Sequence, residues 1–411
     1  MIDNNLRASL HALVDASREP RERFLAELVK TPSDNPPGDC AAFAERAAIL
    51  LEGEGFAVER HPVPEDITRA NGMISATNLI VRHRFGPGPT VALNAHGDVV
   101  PPGGGWTADP YGAEIRDGWM YGRGVAVSKS DFATYAFALK ALIDSGLPLA
   151  GTIELHFTMD EEAGGEIGPC WLLAQGLSKP DYAICAGFSY AVVAAHNGCL
   201  HLEVIVEGRS AHAADPKTGI DALAGAVDIL NALYALRDGY RAHPSKVPGI
   251  GTPNLNVGLI GGGINTNVVP DSIRFTLDRR IVPEEDPAQV EADLRACIAQ
   301  AAKADLRVSV RKILLASPLS STPGQAPLLA AIQSAASEVL GEDIPATGVP
   351  LYTDARHYAE AGIPVVLYGA GPRSILEANA HRADERLPLA DLHRATEAIA
   401  LALADLLGKA R

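Results

Sequence analysis

Two rhythms of strand and helix follow one another along this chain, and the second is enclosed by the first. Over the first half, short β-branched runs alternate with amphipathic stretches: a helix over 41–52, strands over 78–82 and 90–94, a helix over 131–144, and strands over 151–158 and 182–186. Such alternation specifies a mostly parallel or mixed sheet covered by helices, because each face of a sheet has to be buried against another layer. From His201 the order becomes β-α-β-β-α-β, with strand 201–206, helix 221–236, strands 254–260 and 271–277, helix 287–302 and strand 307–315. That is the split βαβ arrangement of a small independent domain. Helix 327–340, strand 364–368 and helix 389–407 then resume the first pattern. The expected organisation is a larger α/β domain of residues 1–199 and 317–411, interrupted by a smaller one of residues 200–316. A chain of 411 residues also exceeds the roughly 250–300 at which a single core stops growing.

Composition narrows the partners. A net charge of −15 disfavours nucleic acid and anionic membrane, both of which demand basic patches. The 5 cysteines, Cys40, Cys170, Cys185, Cys199 and Cys297, are odd in number and form no C-x-x-C pair, which suits a reducing compartment. The charged start of the chain, with Asp3, Arg7, Asp15, Arg18 and Glu19, contains no apolar leader, and no run is of membrane length. A soluble cytoplasmic protein is expected.

Four short segments place polar chemistry where strands end. His96-Gly97-Asp98 follows the apolar strand at 91–93, the carboxyl end at which ligands of open α/β sheets bind. His96 suits a metal ligand with Asp98 orienting its ring; the plain alternative is a loop histidine beside a turn carboxylate. Asp160-Glu161-Glu162 closes the strand at 151–158, and three adjacent carboxylates repel one another unless a cation or proton compensates. One is fit to ligate and another to act as general base, against the alternative of a solvated acidic turn. His381 with Glu385 precedes the closing helix, and His212 lies where the inserted domain's first strand gives way to its helix; each is equally consistent with an ordinary loop residue.

In order and context these pieces resemble the acetylornithine deacetylase, succinyl-diaminopimelate desuccinylase and aminoacylase group of metallopeptidases. The likeness covers nearly the whole chain. It runs through His96-x-Asp98, Trp106, Asp109-Pro110-Tyr111, Asp117-Gly118, Tyr121-Gly122-Arg123-Gly124, Lys129 and Asp160-Glu161-Glu162. It continues through Gly208-x-x-x-His212-Ala213, Gly261-Gly262, Asn267-Val-Val-Pro270, Asp278-Arg279, Asp354-Ala355-Arg356, Gly369-x-Gly371, His381 and Glu385. Each motif is short, but the ordered set is very specific. The resemblance implies a zinc-peptidase-like α/β catalytic domain with an inserted, ferredoxin-like lid or dimerisation domain. It implies two zinc ions that cleave an amide lying next to a carboxylate. By position it implies His96, Glu162 and His381 as metal ligands, Asp98 as support for His96, and Glu161 as general base. His212 becomes a donor to the oxyanion from the neighbouring subunit of a homodimer, and Asn267 and Arg279 become candidates to meet the substrate.

Two positions depart from that pattern. The family's bridging aspartate, three residues beyond Gly122-Arg123-Gly124, is Val127 here, and the glutamate expected after the strand at 182–186 is replaced by Gly187-Phe188. Both losses fall on metal ligands. Asp131 is the nearest replacement for the bridge, although Ser128 and Asp131 also read as a Ser-x-x-Asp helix-capping pair. Cys185, His196, Cys199 and His201 are weaker substitutes, since Cys199 is read as lying outside the strand that aligns His201 with Glu203. The expected centre therefore holds at most one zinc or other divalent ion, bound by His96, Glu162 and His381, with an ion-free site as the alternative. The expected activity is hydrolysis of a small, carboxylate-bearing N-acyl amino acid or peptide-like amide. A lyase or isomerase on the same scaffold, and an inactive binding protein, are the competing classes.

Overall fold

The computed structural model describes residues 3–408 and divides into two units. One comprises the chain up to Ala194, Ser321–Thr347 and the residues from Thr353 on; the other comprises Ala195–Ser320 and Gly348–Tyr352. The exchange points thus lie a few residues outside 200 and 316, and a short return segment joins the second unit.

The first unit is built on an eight-stranded sheet in the order Val58–Pro62, Thr77–Gly86, Gly151–Thr158, Thr90–His96, Tyr182–Cys185, Val365–Leu367, Val192–His196, Ala346–Val349. Four neighbours in the middle, from Gly151–Thr158 to Val365–Leu367, run parallel. Their carboxyl ends therefore share one edge of the sheet, which delivers His96, Asp160–Glu162, Gly187 and Gly369 to the same place. The helix Lys129–Ser145 is buried almost all round, from Lys129 to Leu139 without a break. It lies between the strand Thr90–His96 and the helices Asn4–Ala16, Arg18–Val29 and Leu389–Leu407, which explains why residues on all its faces are buried, polar Lys129, Ser130 and Asp131 included. The two N-terminal helices carry Leu10, Val14, Phe24, Leu25 and Leu28 into the core at helical spacing, a signal masked in the sequence by the charges between them. Among the described residues no helix is long and apolar enough to cross a membrane.

The second unit is a four-stranded antiparallel sheet in the order Asn254–Gly262, Ser272–Ile281, Gly198–Glu207, Arg307–Ala316. Leu200, Leu202, Val204 and Val206 alternate onto the face covered by the helices Ala222–Gly239 and Pro287–Ala301. The opposite face carries Cys199, His201 and Glu203 together, because the strand begins at Gly198 rather than beyond Cys199. His201 is paired with Asp278 at 3.3 Å, and no metal-binding grouping forms there among the described residues. The hydrogen bond to Asp278, with Cys199 adding to it, lifts the His201 pKa to about 9. A histidine whose folded pKa is raised stabilises the fold fully below its ordinary value near 6.5 and loses that contribution as pH rises through 9. Melting curves of His201→Ala and wild type should therefore differ most below pH 6.5 and converge near pH 10; a gap independent of pH would show that packing alone is lost.

Candidate active site

Asp98 is the hub of the site. It is fully buried, and its Oδ1 and Oδ2 accept the backbone N–H groups of Glu161 (3.1 Å) and Glu162 (3.0 Å). His96 Nδ1 meets the Asp98 main-chain oxygen at 2.9 Å and its Oδ1 at 3.3 Å, so the ring is oriented by both. This leaves His96 Nε2 facing Glu161 Oε2 at 3.9 Å. His96, Glu161 and Glu162 each offer a ligand atom within 4.8 Å of the others, the one such grouping among the described residues. His381 does not join it. Its Nε2 lies 3.1 Å from Glu162 Oε1, so it approaches the centre from the Glu162 side, and half of its side chain is exposed.

The loop that carries His381 is held in an unusual conformation. Asn379, His381 and Asp384 all have positive φ (49°, 59° and 55°), at a cost on the order of 1 kcal/mol each for side chains that are not glycine. Compensation comes from Asp384, which accepts Thr107 N, Ala108 N and Thr107 Oγ1. Glu385 is fully buried and accepts Arg123 Nη1, Ala126 N and Val127 N. Glu385 thus shapes the turn up to Val127 and is not a partner of His381.

One of the vacated ligand positions, Gly187, is closed by backbone packing. A Cβ on Gly187 would stand 2.9 Å from Tyr368 N and 3.1 Å from the Leu367 carbonyl carbon. Gly187 N instead donates to Asp131 Oδ2 at 3.1 Å, and Ala370 N donates to Asp131 Oδ1 at 2.8 Å. Asp131 is therefore a buried clamp between two strand ends, and burial pushes its pKa up to about 8. It does not replace the bridge. The capping pair fails as well, since Ser128 makes no side-chain cap and its Oγ bonds the main-chain N and O of His96.

Negative charge is in excess here. Burial raises Asp160, Glu161 and Asp354, each further lifted by neighbouring carboxylates; Glu161 reaches about 8. Asp160 is turned away from the centre toward Ile167 N, with its Oδ1 left without a partner. Burial disfavours charge on His96, but Glu161, Asp98 and Glu162 override it and hold the ring's pKa well above its usual value. Glu162 Oε1 is buried and meets the His381 ring alone, while His96, Glu161 and Glu162 each turn a ligand atom toward the others within 4.8 Å. A buried set of imidazole and carboxylate donors with an excess of negative charge fits a divalent ion. Val127 and Gly187 offer that centre no side-chain oxygen. Zinc, if bound, would be held by His96 and Glu162, with Glu161 and His381 at its sides. Asn35 belongs to the site but escaped the sequence reading, because its Pro-rich segment reads only as a turn; Asp354, quoted there as part of a motif, was given no role and stands beside Glu161 and His96.

The remaining sequence candidates sit in the second unit. His212 is exposed, and Ala213 N donates to Asn267 O at 2.9 Å, so His212 and Asn267 are brought side by side. Arg279 is only 1% exposed. Its guanidinium is paired with Glu285, donates to Arg280 O and stacks 4.2 Å over Tyr240. The carboxylate-reading role expected of Arg279 therefore has no exposed guanidinium to rest on.

Residues 92–405 match the profile of the peptidase family M20/M25/M40. A protein of Gluconacetobacter diazotrophicus named succinyl-diaminopimelate desuccinylase is 29% identical over 410 residues, covering 97% of this chain and 99% of its own. One of the same name from Rhizorhabdus wittichii is 31% identical over 382 residues, covering 89% and 92%. The fold is shared with the dipeptidase Dug1p of Saccharomyces cerevisiae, at a TM-score of 0.74 and 15% identity over 97% of this chain and 98% of that one. It is shared equally with the metallo-carboxypeptidase Sso-CP2 of Sulfolobus solfataricus, at a TM-score of 0.74 and 18% identity over 93% and 98%. With its parallel strand ends, its His96 and Glu162 donors and its separate antiparallel unit, the chain belongs to the M20/M25/M40 family of metallohydrolases, enzymes of amide and peptide bonds.

Proposed function

We propose that this protein hydrolyses the amide bond of a small N-acyl amino acid or peptide-like substrate, with Glu161 as general base and a centre of at most one divalent ion. The observation that carries the reading is the placement of Glu161, whose carboxylate faces His96 Nε2 while its main chain is fixed by Asp98. A divalent ion held there supplies Lewis acidity toward the amide carbonyl. Glu161 takes the proton of the attacking water on Oε2 and returns it to the leaving amine. Its raised proton affinity suits both halves of that task. The relatives named for desuccinylation make a carboxylate-bearing acyl group the first substrate to try. Incubation with succinyl, acetyl and longer acyl derivatives of amino acids should release acid and amine together; an unsaturated or isomerised product would overturn the reading.

The active form is a homodimer built through the second unit. Supporting this are the unpaired outer edge of Asn254–Gly262 and the apolar side chains it exposes, Leu259, Ile260 and nearby Ile264 (71%, 57% and 77% exposed). In such a dimer His212 serves the partner's centre as a hydrogen-bond donor to the developing oxyanion. Mixing inactive Glu161→Ala and His212→Ala proteins under subunit exchange should restore about a quarter of the activity at equal ratio, since random pairing yields half heterodimers with one competent centre each. No recovery despite exchange would remove His212 from a role in trans.

A further inference from the structure

The segment Pro32–Gly38, a turn by its composition, runs alongside the site. Asn35 N donates to Val99 O (2.8 Å), Val99 N to Ser33 O (3.0 Å), and Ser33 Oγ to Gly97 O (2.6 Å), so residues 33–35 are laced to the strand end that carries His96 and Asp98. Asn35 is 5% exposed, and its Nδ2 lies 2.9 Å from Asp98 Oδ2. An ionised carboxylate only accepts, so the amide must present its NH2 there. On its other side the amide is packed tightly: a Cβ on Gly38 would come within 3.0 Å of Asn35 Oδ1 and 2.8 Å of Met73 Cγ.

We propose that Asn35 is a positioning residue that sets the rotation of the Asp98 carboxylate, and through it the placement of Glu161 and Glu162 against His96. Asp98 Oδ2 receives Glu162 N and Asn35 Nδ2, while Oδ1 receives Glu161 N and stands beside His96 Nδ1. A carboxylate turns about its last bond with little resistance. Three of these four contacts come from the elements being positioned. Asn35 alone comes from a separate, rigidly strapped segment, and so supplies the fixed reference for the other three. Outer partners of this kind orient ligands, and their loss typically weakens metal binding about 10–100-fold. The inference rests on reading Glu161 and Glu162 as base and ligand.

Two variants separate donation from space filling. Asn35→Leu keeps the branching and heavy-atom count, is somewhat bulkier and loses the donor; Asn35→Ala loses both but leaves room for a water that can donate in its place. Donation predicts that Leu is the worse of the two, and packing predicts that Leu resembles wild type while Ala is worse. The first readout is hydrogen exchange of the amides of Glu161 and Glu162 in chelator-treated protein, which needs no metal. The second is the zinc dissociation constant by chelator competition. Expected are faster exchange confined to residues 160–165 and zinc binding about 10–100-fold weaker in Asn35→Leu, with Ala between. Wild-type exchange and affinity in Asn35→Leu would overturn the proposal. Should Leu fail to fold, an Ala variant with a normal melt decides: wild-type exchange in it overturns the proposal, and loss of protection limited to this turn supports it. Wild-type protein that binds no zinc would defeat the metallohydrolase reading alone, leaving exchange to judge Asn35.

Discussion

Replacing Glu161 with glutamine is expected to cut turnover by about 10²–10⁴-fold, or about 3–5 kcal/mol of barrier, while zinc content stays at the wild-type level. The amide keeps the size of the carboxylate but has no basic oxygen to take a proton. The structure sharpens the test, because Glu161 is also within ligand reach of His96 and Glu162. Lost turnover with zinc retained identifies a base; turnover and zinc lost together identify a ligand, and more than about a tenth of wild-type activity removes Glu161 from either role. Stability should move the other way. Burial raises the Glu161 pKa to about 8, so between the unfolded value near 4.5 and 8 the folded state holds a proton that the unfolded state has released. Wild-type stability therefore falls relative to the glutamine variant as pH rises through that window and levels off above it. In chelated protein the melting temperature of Glu161→Gln should exceed that of wild type by a margin that opens from pH 4.5 to 8. A constant margin would mean the carboxylate is already ionised in the fold.

On the single-ion reading proposed above, Val127→Asp should let the chain take a second zinc at higher zinc concentration. Two dications about 4 Å apart repel by about 16 kcal/mol at an effective dielectric constant of about 20, so anionic ligands between them are indispensable. Val127 is partly exposed and its main-chain N–H is fixed by Glu385, so a carboxylate there can be borne without remaking the turn. Restoration remains partial. Gly187 cannot regain a side chain because the Tyr368 and Leu367 backbone occupies the space, and its N–H is held by Asp131. With His96 and Glu162 already given to the first ion, the added one has little beyond the new carboxylate and should bind more weakly than the first. Titration with elemental analysis checks the outcome: one ion in both proteins would show that the missing carboxylate is not what limits occupancy, and two in wild type would defeat the single-ion reading.

The sequence by itself determined the architecture and part of the inventory of the site. Period-2 and period-3.6 patterns are local properties, so the alternation up to residue 186 and the β-α-β-β-α-β block could be read directly, as could the arrival of His96 and Glu161-Glu162 at strand ends. The family resemblance supplied the expectation of carboxylates at Val127 and Gly187, and against it their absence was plain, since absence of an oxygen needs no coordinates. Side-chain pairing was beyond it, because a hydrogen bond depends on where distant segments are brought. Ser128 and Asp131 look like a local cap, yet the fold gives Ser128 to His96 and Asp131 to Gly187 and Ala370, residues up to 239 positions away. Arg279 looks like a substrate reader and is claimed by Glu285 and Tyr240, and Asn35 looks like a turn residue and reaches Asp98 across 63 positions. His96, Glu162 and His381 are expected on one ion; the fold groups His96 with Glu161 and Glu162 and brings His381 to Glu162. Residue type fixes what a side chain can do; only the tertiary structure, by burying some partners and aligning others, decides which of those things it does.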